Sequence, residues 1–494
     1  MNTPVNCVSQ GIGSRNCGDR VAALMSSPFA ELFPSLRRSS IYLNAAGRTP
    51  LPARTLAVGV AAVARKAETP WSIGDTEGDK DVVRELFAEL LGDGATAADV
   101  AVVPSCSYAM SLAARNLKDK LGARPPGRRR VLVLQDQNPS NVMQWQWLCD
   151  EEGGELCVVP LPEGVDGSWT AAIVGALATG TVAVAALPPC HWCDGSVVDL
   201  VPVAAACRAN DVALVIDATQ WLGAAPPIDV VGLGVCFLAC SVHKWLMGCV
   251  RCVPHIHSLS PLLELSLRPC SPPPVRSCLT PPRDAPLGPT LIPALCFDTI
   301  LFDARARRRP YGACLCYAPP SFWKSAQPLE EHDRNREGAQ HIECLPMDAT
   351  TGYPTDFQDG CRRLDSGGRP SYIVMPMLVA SLTLLVRELG VPRVAAELRR
   401  LTSDIGRRAR TLGFRVPRLH APNIIGLRPS AGMPSSKALV DALKARPLPV
   451  LVGERLGAIR VSPHLYNGPS DLDALFEGLR EALTAAAGRP QSRL

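Results

Sequence analysis

FLACSVHKWLMG, residues 237–248, poses the question that decides the fold. An apolar run ends on His243 and Lys244, where a cation is costly to bury unless it is paired or chemically employed. A second apolar run, VALVIDATQ at 212–220, ends in the same manner on Asp217, with Gln220 close behind. Working back towards the N-terminus, the pattern repeats. VAVVP (100–104), VLVLQD (131–136), ELCVVPL (155–161) and TVAVAAL (181–187) read as short strands, separated by segments with helical periodicity such as YAMSLAARNLKDKL (108–121). Continuously apolar strands alternating with helices predict an α/β fold whose mainly parallel sheet is covered on both faces. Ligands of such sheets sit beyond the carboxyl ends of the strands. The polar residues cluster there: Ser105, Ser107, Asn138, His191, Asp217, Gln220, His243 and Lys244.

From about residue 371 the texture changes to two long helical segments, short strand candidates NIIGLRPS and AIRVSPHLY, and a closing helix. The expected organisation is an N-terminal segment (1–40), a large domain (41–370) and a smaller α+β domain (371–494). Segment 249–309 interrupts the large domain. It is rich in proline, lacks lysine and shows little periodicity, so it reads as an insertion. The two explanations are a variable surface loop and translated non-coding sequence, and the second is favoured. A structureless stretch that long is improbable inside a compact domain.

Composition bounds the partners. A 47% hydrophobic and 20% charged chain of 494 residues, with net charge +5, is that of a soluble globular protein. The arginines are scattered, which gives no nucleic-acid footprint. No run approaches 18 uninterrupted apolar residues, so no membrane span is expected. Nineteen cysteines without regular spacing argue against a disulfide framework. They fit reduced thiols in a cytoplasmic setting, with organelle targeting left open by an N-terminus free of acidic residues before Asp19. Cys190-His191-Trp192-Cys193 has no second pair to complete a metal site.

Asp217 and Lys244 at neighbouring strand ends suit pyridoxal 5′-phosphate. That cofactor needs a lysine for covalent attachment and an acid to keep its ring nitrogen protonated. Its phosphate needs hydroxyls and free backbone N–H groups at a helix start, which SCSYAMSLAA supplies.

With those residues in view, IDATQWLGAAPPIDV and FLACSVHKWLMG resemble the aminotransferase class V family of PLP-dependent enzymes, of fold type I. That family includes cysteine desulfurases, selenocysteine lyases, kynureninases and isopenicillin N epimerase-like proteins. YLNAAGRTPLP (42–52), DQNPSNVMQW (136–145), HWCDGSVVDL (191–200), RRLDSGGRPSYI (362–373) and ERLGAIRVSPHLYN (454–467) follow in family order. Joining Gly248 to Pro310 restores the pattern HKWLMGPYGACLCY. The resemblance implies Lys244 as the attachment lysine and proton shuttle, Asp217 as partner of the ring nitrogen, and Gln220 as donor to the ring hydroxyl. It implies Ser241, His243, Cys106 and Ser107 as phosphate contacts, and Asn138 at the position that stacks on the ring. It implies Arg460 as the clamp on the substrate carboxylate, with Arg455 and Asn44 nearby. Gly368 occupies the stretch that completes a partner's phosphate site, implying a homodimer.

Two departures narrow the activity. The interval between Arg455 and Arg460 is only LGAI, and no cysteine follows Cys361, so a persulfide-forming desulfurase is not expected. Asn138 stands where the family commonly stacks a histidine or other aromatic on the ring, which leaves Lys244 with most of the proton transfer. The tyrosine that precedes the lysine in kynureninases is His243 here. The expectation is a PLP enzyme acting on an α-amino acid, favouring a β-eliminating C–S lyase. Aminotransferase or epimerase activity is the alternative, and a catalytically degenerate scaffold is a further one.

Overall fold

The structure is a computed structural model. It describes residue 27 and residues 29–36, 39–74, 77–162, 168–249, 312–338, 348–368 and 370–487. The chain divides into two units, Met1–Val250 with Tyr311–Leu494, and Arg251–Pro310. The second lies outside the described residues. So do Arg369 and, apart from Cys249, the insertion inferred at 249–309.

Seven strands form the central sheet: β1 (Val100–Val103), β2 (Arg130–Leu134), β3 (Glu155–Val159), β4 (Val182–Leu187), β5 (Ala213–Asp217), β6 (Phe237–Ser241) and β7 (Cys314–Tyr317). Their order is β1-β7-β6-β5-β4-β2-β3. The pairs among β6, β5, β4, β2 and β3 are parallel, whereas β7 runs antiparallel to both β1 and β6. The mainly parallel α/β sheet is therefore observed, with one antiparallel strand inside it. Every residue of β1, β4 and β6 is buried, which explains the unbroken apolar runs. Fully burying one such Val, Leu or Ile contributes about 1.5–3 kcal/mol.

Helices α1 (Ala53–Glu68), α2 (Glu77–Ala88), α3 (Cys106–Asn116), α4 (Met143–Glu152), α5 (Trp169–Leu177) and α6 (Leu200–Ala209) alternate with or precede these strands. Two apolar cores result, one on each face of the sheet. Several helix starts are set by local chemistry: the side chains of Ser105, Ser168 and Asp199 accept backbone N–H groups at the N-termini of α3, α5 and α6.

Beyond residue 371, α7 (Val374–Leu382) runs into a π-helical stretch, Thr383–Leu389, and then α8 (Val391–Thr411). These two helical segments bend by 82°, and no single helix among the described residues is long and apolar enough to cross a membrane. A three-stranded antiparallel sheet, β8 (Ile425–Leu427), β9 (Gly453–Arg455) and β10 (Ala458–Val461), packs with α8, α9 (Ser436–Lys444) and α10 (Pro469–Ala487) around a third core. Ile41 and Tyr42 pair in parallel with Val450 and Leu451 as a separate two-stranded sheet, tying the N-terminal stretch to the C-terminal part of the chain.

Two glycines permit the close approaches that build the site. At Gly223 (φ +88°) a Cβ would meet the Trp245 carbonyl oxygen at 2.6 Å, so the loop after β5 can lie against the lysine turn. At Gly195 (φ +76°) a Cβ would collide with the Ile424 carbonyl, so the loop after β4 can dock on β8.

Candidate functional site

At the carboxyl ends of β4, β5 and β6 a pocket is lined by Ser105, Cys106, Ser107, Gln137, Asn138, Ser140, Pro188, Cys190, Trp192, Asp217, Thr219, Gln220, Ser241, His243 and Lys244. Eight residues given a cofactor role from the sequence meet here: Cys106, Ser107, Asn138, Asp217, Gln220, Ser241, His243 and Lys244. Ser105 of the strand-end cluster joins them.

Parallel pairing places Asp217 opposite Ala239, so β5 and β6 deliver the acid and the lysine turn side by side. β6 ends at Ser241 and the chain then turns; Met247 N–H donates to Lys244 O at 3.0 Å, closing the turn that presents the lysine. Burial pushes the Lys244 ammonium below its usual pKa, against the upward pull of the Asp217 carboxylate, and Arg460 adds to the lowering. Burial, reinforced by the charges of Lys244 and Arg48, pushes His243 down to about 3, so its imidazole is neutral at pH 7.

Thr219, which the sequence reading passed over, links the two strand ends. Its backbone N–H donates to Asp217 Oδ1, and its hydroxyl oxygen accepts Ser241 N–H, each at 3.1 Å. The only signal in the sequence is its place between Asp217 and Gln220. Gln220 is held on both amide atoms: Oε1 accepts the Trp245 indole N–H at 2.8 Å and Nε2 donates to Ala46 O at 3.1 Å. Asn423 Nδ2 donates to the Gln220 carbonyl at 2.9 Å.

The opposite wall is the start of α3. Ser105 Oγ accepts Tyr108 N–H and Ser105 O accepts Ala109 N–H. The N–H groups of Cys106 and Ser107 precede the first intrahelical bond and face an anion-binding end. Ser107 Oγ bonds Ser140 Oγ at 3.2 Å, and Asn138 Oδ1 accepts Ser140 N–H at 3.1 Å. His191 does not line the pocket. It stacks on Trp169 with centroids 5.4 Å apart, and its Nε2 lies 3.1 Å from Gln135 O. Its neighbour Trp192 lines the pocket instead, anchored by its indole N–H to Asp136 O at 2.8 Å.

Arg460 lies behind Trp192. It is 1% exposed, and its two terminal nitrogens donate to Trp192 O and Asn44 Oδ1, both at 3.1 Å. Burial lowers its pKa to about 10, with Arg455 acting in the same direction, so it remains a cation at neutral pH. Arg455 packs on the same Trp192 ring. Gly368 (φ +81°) is not among the lining residues; it sits in a turn where Gly367 N–H donates to Glu330.

Residues 41–250 match the family model for aminotransferase class-V. The matched segment, which carries Asp217 and Lys244, is similar to the aminotransferase class V family. The fold of the chain is shared with solved structures. A mutant of C-DES, with glycine covalently linked to the PLP cofactor, is 16% identical with a TM-score of 0.67, covering 92% of this chain and 99% of that one. The cystine C–S lyase C-DES in complex with its reaction product cysteine persulfide is 17% identical with a TM-score of 0.65, over 90% and 98% of the two chains. The cysteine desulfurase CsdA from Escherichia coli is 16% identical with a TM-score of 0.64, over 92% and 98%. At these identities the likeness is one of fold. Comparison with curated protein sequences gives no match.

The donor set suits the cofactor of this PLP-dependent family. A helix start with uncommitted N–H groups, hydroxyls at Ser107, Thr219 and Ser241, a carboxylate and an amine line one cavity.

Proposed function

We propose that the protein is a PLP-dependent enzyme acting on an α-amino acid, and that its reaction is β-elimination with carbon–sulfur bond cleavage. The observation that carries this reading is the Lys244 amine, its pKa lowered by burial, sharing the pocket with the Asp217 carboxylate. When bound, the cofactor supplies an electron sink that acidifies the substrate α-carbon and allows a β-substituent to depart.

The chain's residues divide the remaining work. The α3 start, Ser107, Ser241 and neutral His243 bind the phosphate. Asp217, oriented by the Thr219 N–H, holds a proton on the ring nitrogen. The second hydrogen of Gln220 Nε2 would be donated to the ring hydroxyl, and Asn138 would take the place beside the ring. Lys244 attaches the cofactor and then moves the proton at the substrate α-carbon; its lowered pKa raises the fraction present as free amine. Arg460 binds the substrate carboxylate, a task for a planar fork of donors. Gly368 completes the partner's phosphate site in a homodimer.

Lyase chemistry without a protein persulfide is supported by the thiols near the site. Burial raises Cys190 and Cys193, the latter to about 12, while Cys106 is raised first by its hydrogen bond with Cys314. Thiols in that state carry little thiolate at neutral pH and are poor nucleophiles.

The test is a panel of cysteine S-conjugates and ordinary amino acids, assayed together for pyruvate, ammonia and released thiol. Equal amounts of all three support β-elimination. An oxo acid without ammonia identifies transamination, and inverted amino acid identifies epimerisation. A protein that binds no PLP would be a scaffold.

A further inference from the structure

Arg455 and Arg460 lie on adjacent antiparallel strands, with Gly453 opposite Arg460 and Arg455 opposite Ala458. Residues 453 and 455 project to one side of β9, so the two arginines share a face as diagonal neighbours, about 7–8 Å apart. Both guanidinium groups come to one ring: their Cζ atoms are 5.5 and 5.8 Å from the Trp192 centroid. That ring lines the Lys244 pocket.

The acceptors these arginines reach are neutral. Arg460 donates to Trp192 O and Asn44 Oδ1, and Arg455 donates to Glu454 O at 2.6 Å. The Nε atoms of both are buried and lack a hydrogen-bond partner. The adjacent acid is engaged elsewhere, since Glu454 Oε1 accepts Ser436 Oγ and Gly457 N–H. One carboxylate needs one guanidinium fork. A second guanidinium on the same face, with a buried unpaired donor, is unfavourable unless a ligand brings another negative charge.

Resting on the amino-acid reading above, we propose that the substrate carries a second acidic group on its side chain, bound by Arg455 while Arg460 takes the α-carboxylate. Trp192, whose ring lines the pocket, gathers both cations at the pocket's edge. The substrate class is then an acidic amino acid, such as a cysteine S-conjugate that ends in a carboxylate.

The test is calorimetric titration of the PLP-loaded protein with adipate and hexanoate, which have the same carbon number and differ by one carboxylate. Adipate is expected to bind about tenfold or more tightly than hexanoate, the gain of one charge-assisted contact. Arg455→Gln should bring that ratio towards one with hexanoate affinity unchanged. Arg455→Lys, which keeps the charge, should retain part of the preference. Arg460→Gln should weaken both acids. A wild-type ratio near one, or an Arg455→Gln loss equal for both acids, would overturn the proposal. Neither acid is turned over, so the binding result stands apart from the β-elimination assay. Failure of that assay alone would remove the lyase reading and leave the two-cation site.

Discussion

The indole N–H of Trp245 donates to Oε1 of Gln220 at 2.8 Å. An indole nitrogen can only donate, so this bond settles which end of the amide is oxygen and turns Nε2 towards Ala46 and the pocket. Trp245 also stacks on His464, with centroids 5.5 Å apart and planes 14° from parallel. A residue outside the pocket lining thus sets the polarity of one inside it. Trp245→Phe should keep the stacking and free the amide to rotate. PLP affinity should fall several-fold, consistent with about 1 kcal/mol for one hydrogen bond, and the pH midpoint of the bound cofactor's visible spectrum should move. Unchanged affinity and midpoint would show that Gln220 needs no such anchor.

Lys244→Ala removes both the attachment point and the proton carrier. Turnover should fall by several orders of magnitude, while noncovalent PLP binding persists through the phosphate contacts. Borohydride treatment followed by peptide mass mapping should place the cofactor on Lys244 in the wild type and nowhere in the variant. Full activity in the variant would refute the assignment.

His464 is buried, and loss of hydration lowers its pKa from 6.5 to about 3. Between those values the unfolded chain binds a proton that the folded chain does not. Stability from this group is complete above pH 6.5 and is lost as pH falls towards 3, with a limiting slope of about 1.4 kcal/mol per pH unit. Urea unfolding at pH 7, 6, 5 and 4 should show that decline. His464→Phe should flatten it by up to one proton's slope, leaving the contributions of His243, His191 and His420, which burial also lowers. Identical pH dependence in variant and wild type would exclude the effect.

Gly248 N–H donates to Val242 O at 2.9 Å, and Val242 N–H donates to Ala313 O at 3.3 Å. The described flanks of segment 249–309 therefore converge on one residue, so a short turn can bridge them. Deleting 249–309 should yield a soluble chain with an unchanged melting temperature and retained PLP binding. Sequencing the mature transcript reports whether the segment is translated. A deletion variant that fails to fold, from a transcript that contains the segment, would make it a structural element.

The pocket-lining group Cys106, Ser107, Asn138, Asp217, Gln220, Ser241, His243 and Lys244 was legible in the amino-acid order. Each lies within a few residues of an apolar strand end, and strands of a parallel sheet deliver those ends to one edge. Local periodicity is a property of neighbouring residues, so the strands, the large helices and the class V motifs could be read without coordinates. Tertiary structure alone decided what crosses between segments. It placed β7 antiparallel between β1 and β6, a pairing of strands distant in the chain that local periodicity does not encode. It turned His191 onto Trp169 and Trp192 into the pocket, a choice between adjacent residues that strand periodicity does not make. It joined Arg460 to Asn44 and Trp192, and Trp245 to Gln220, through side-chain bonds whose lengths and partners depend on how distant surfaces pack.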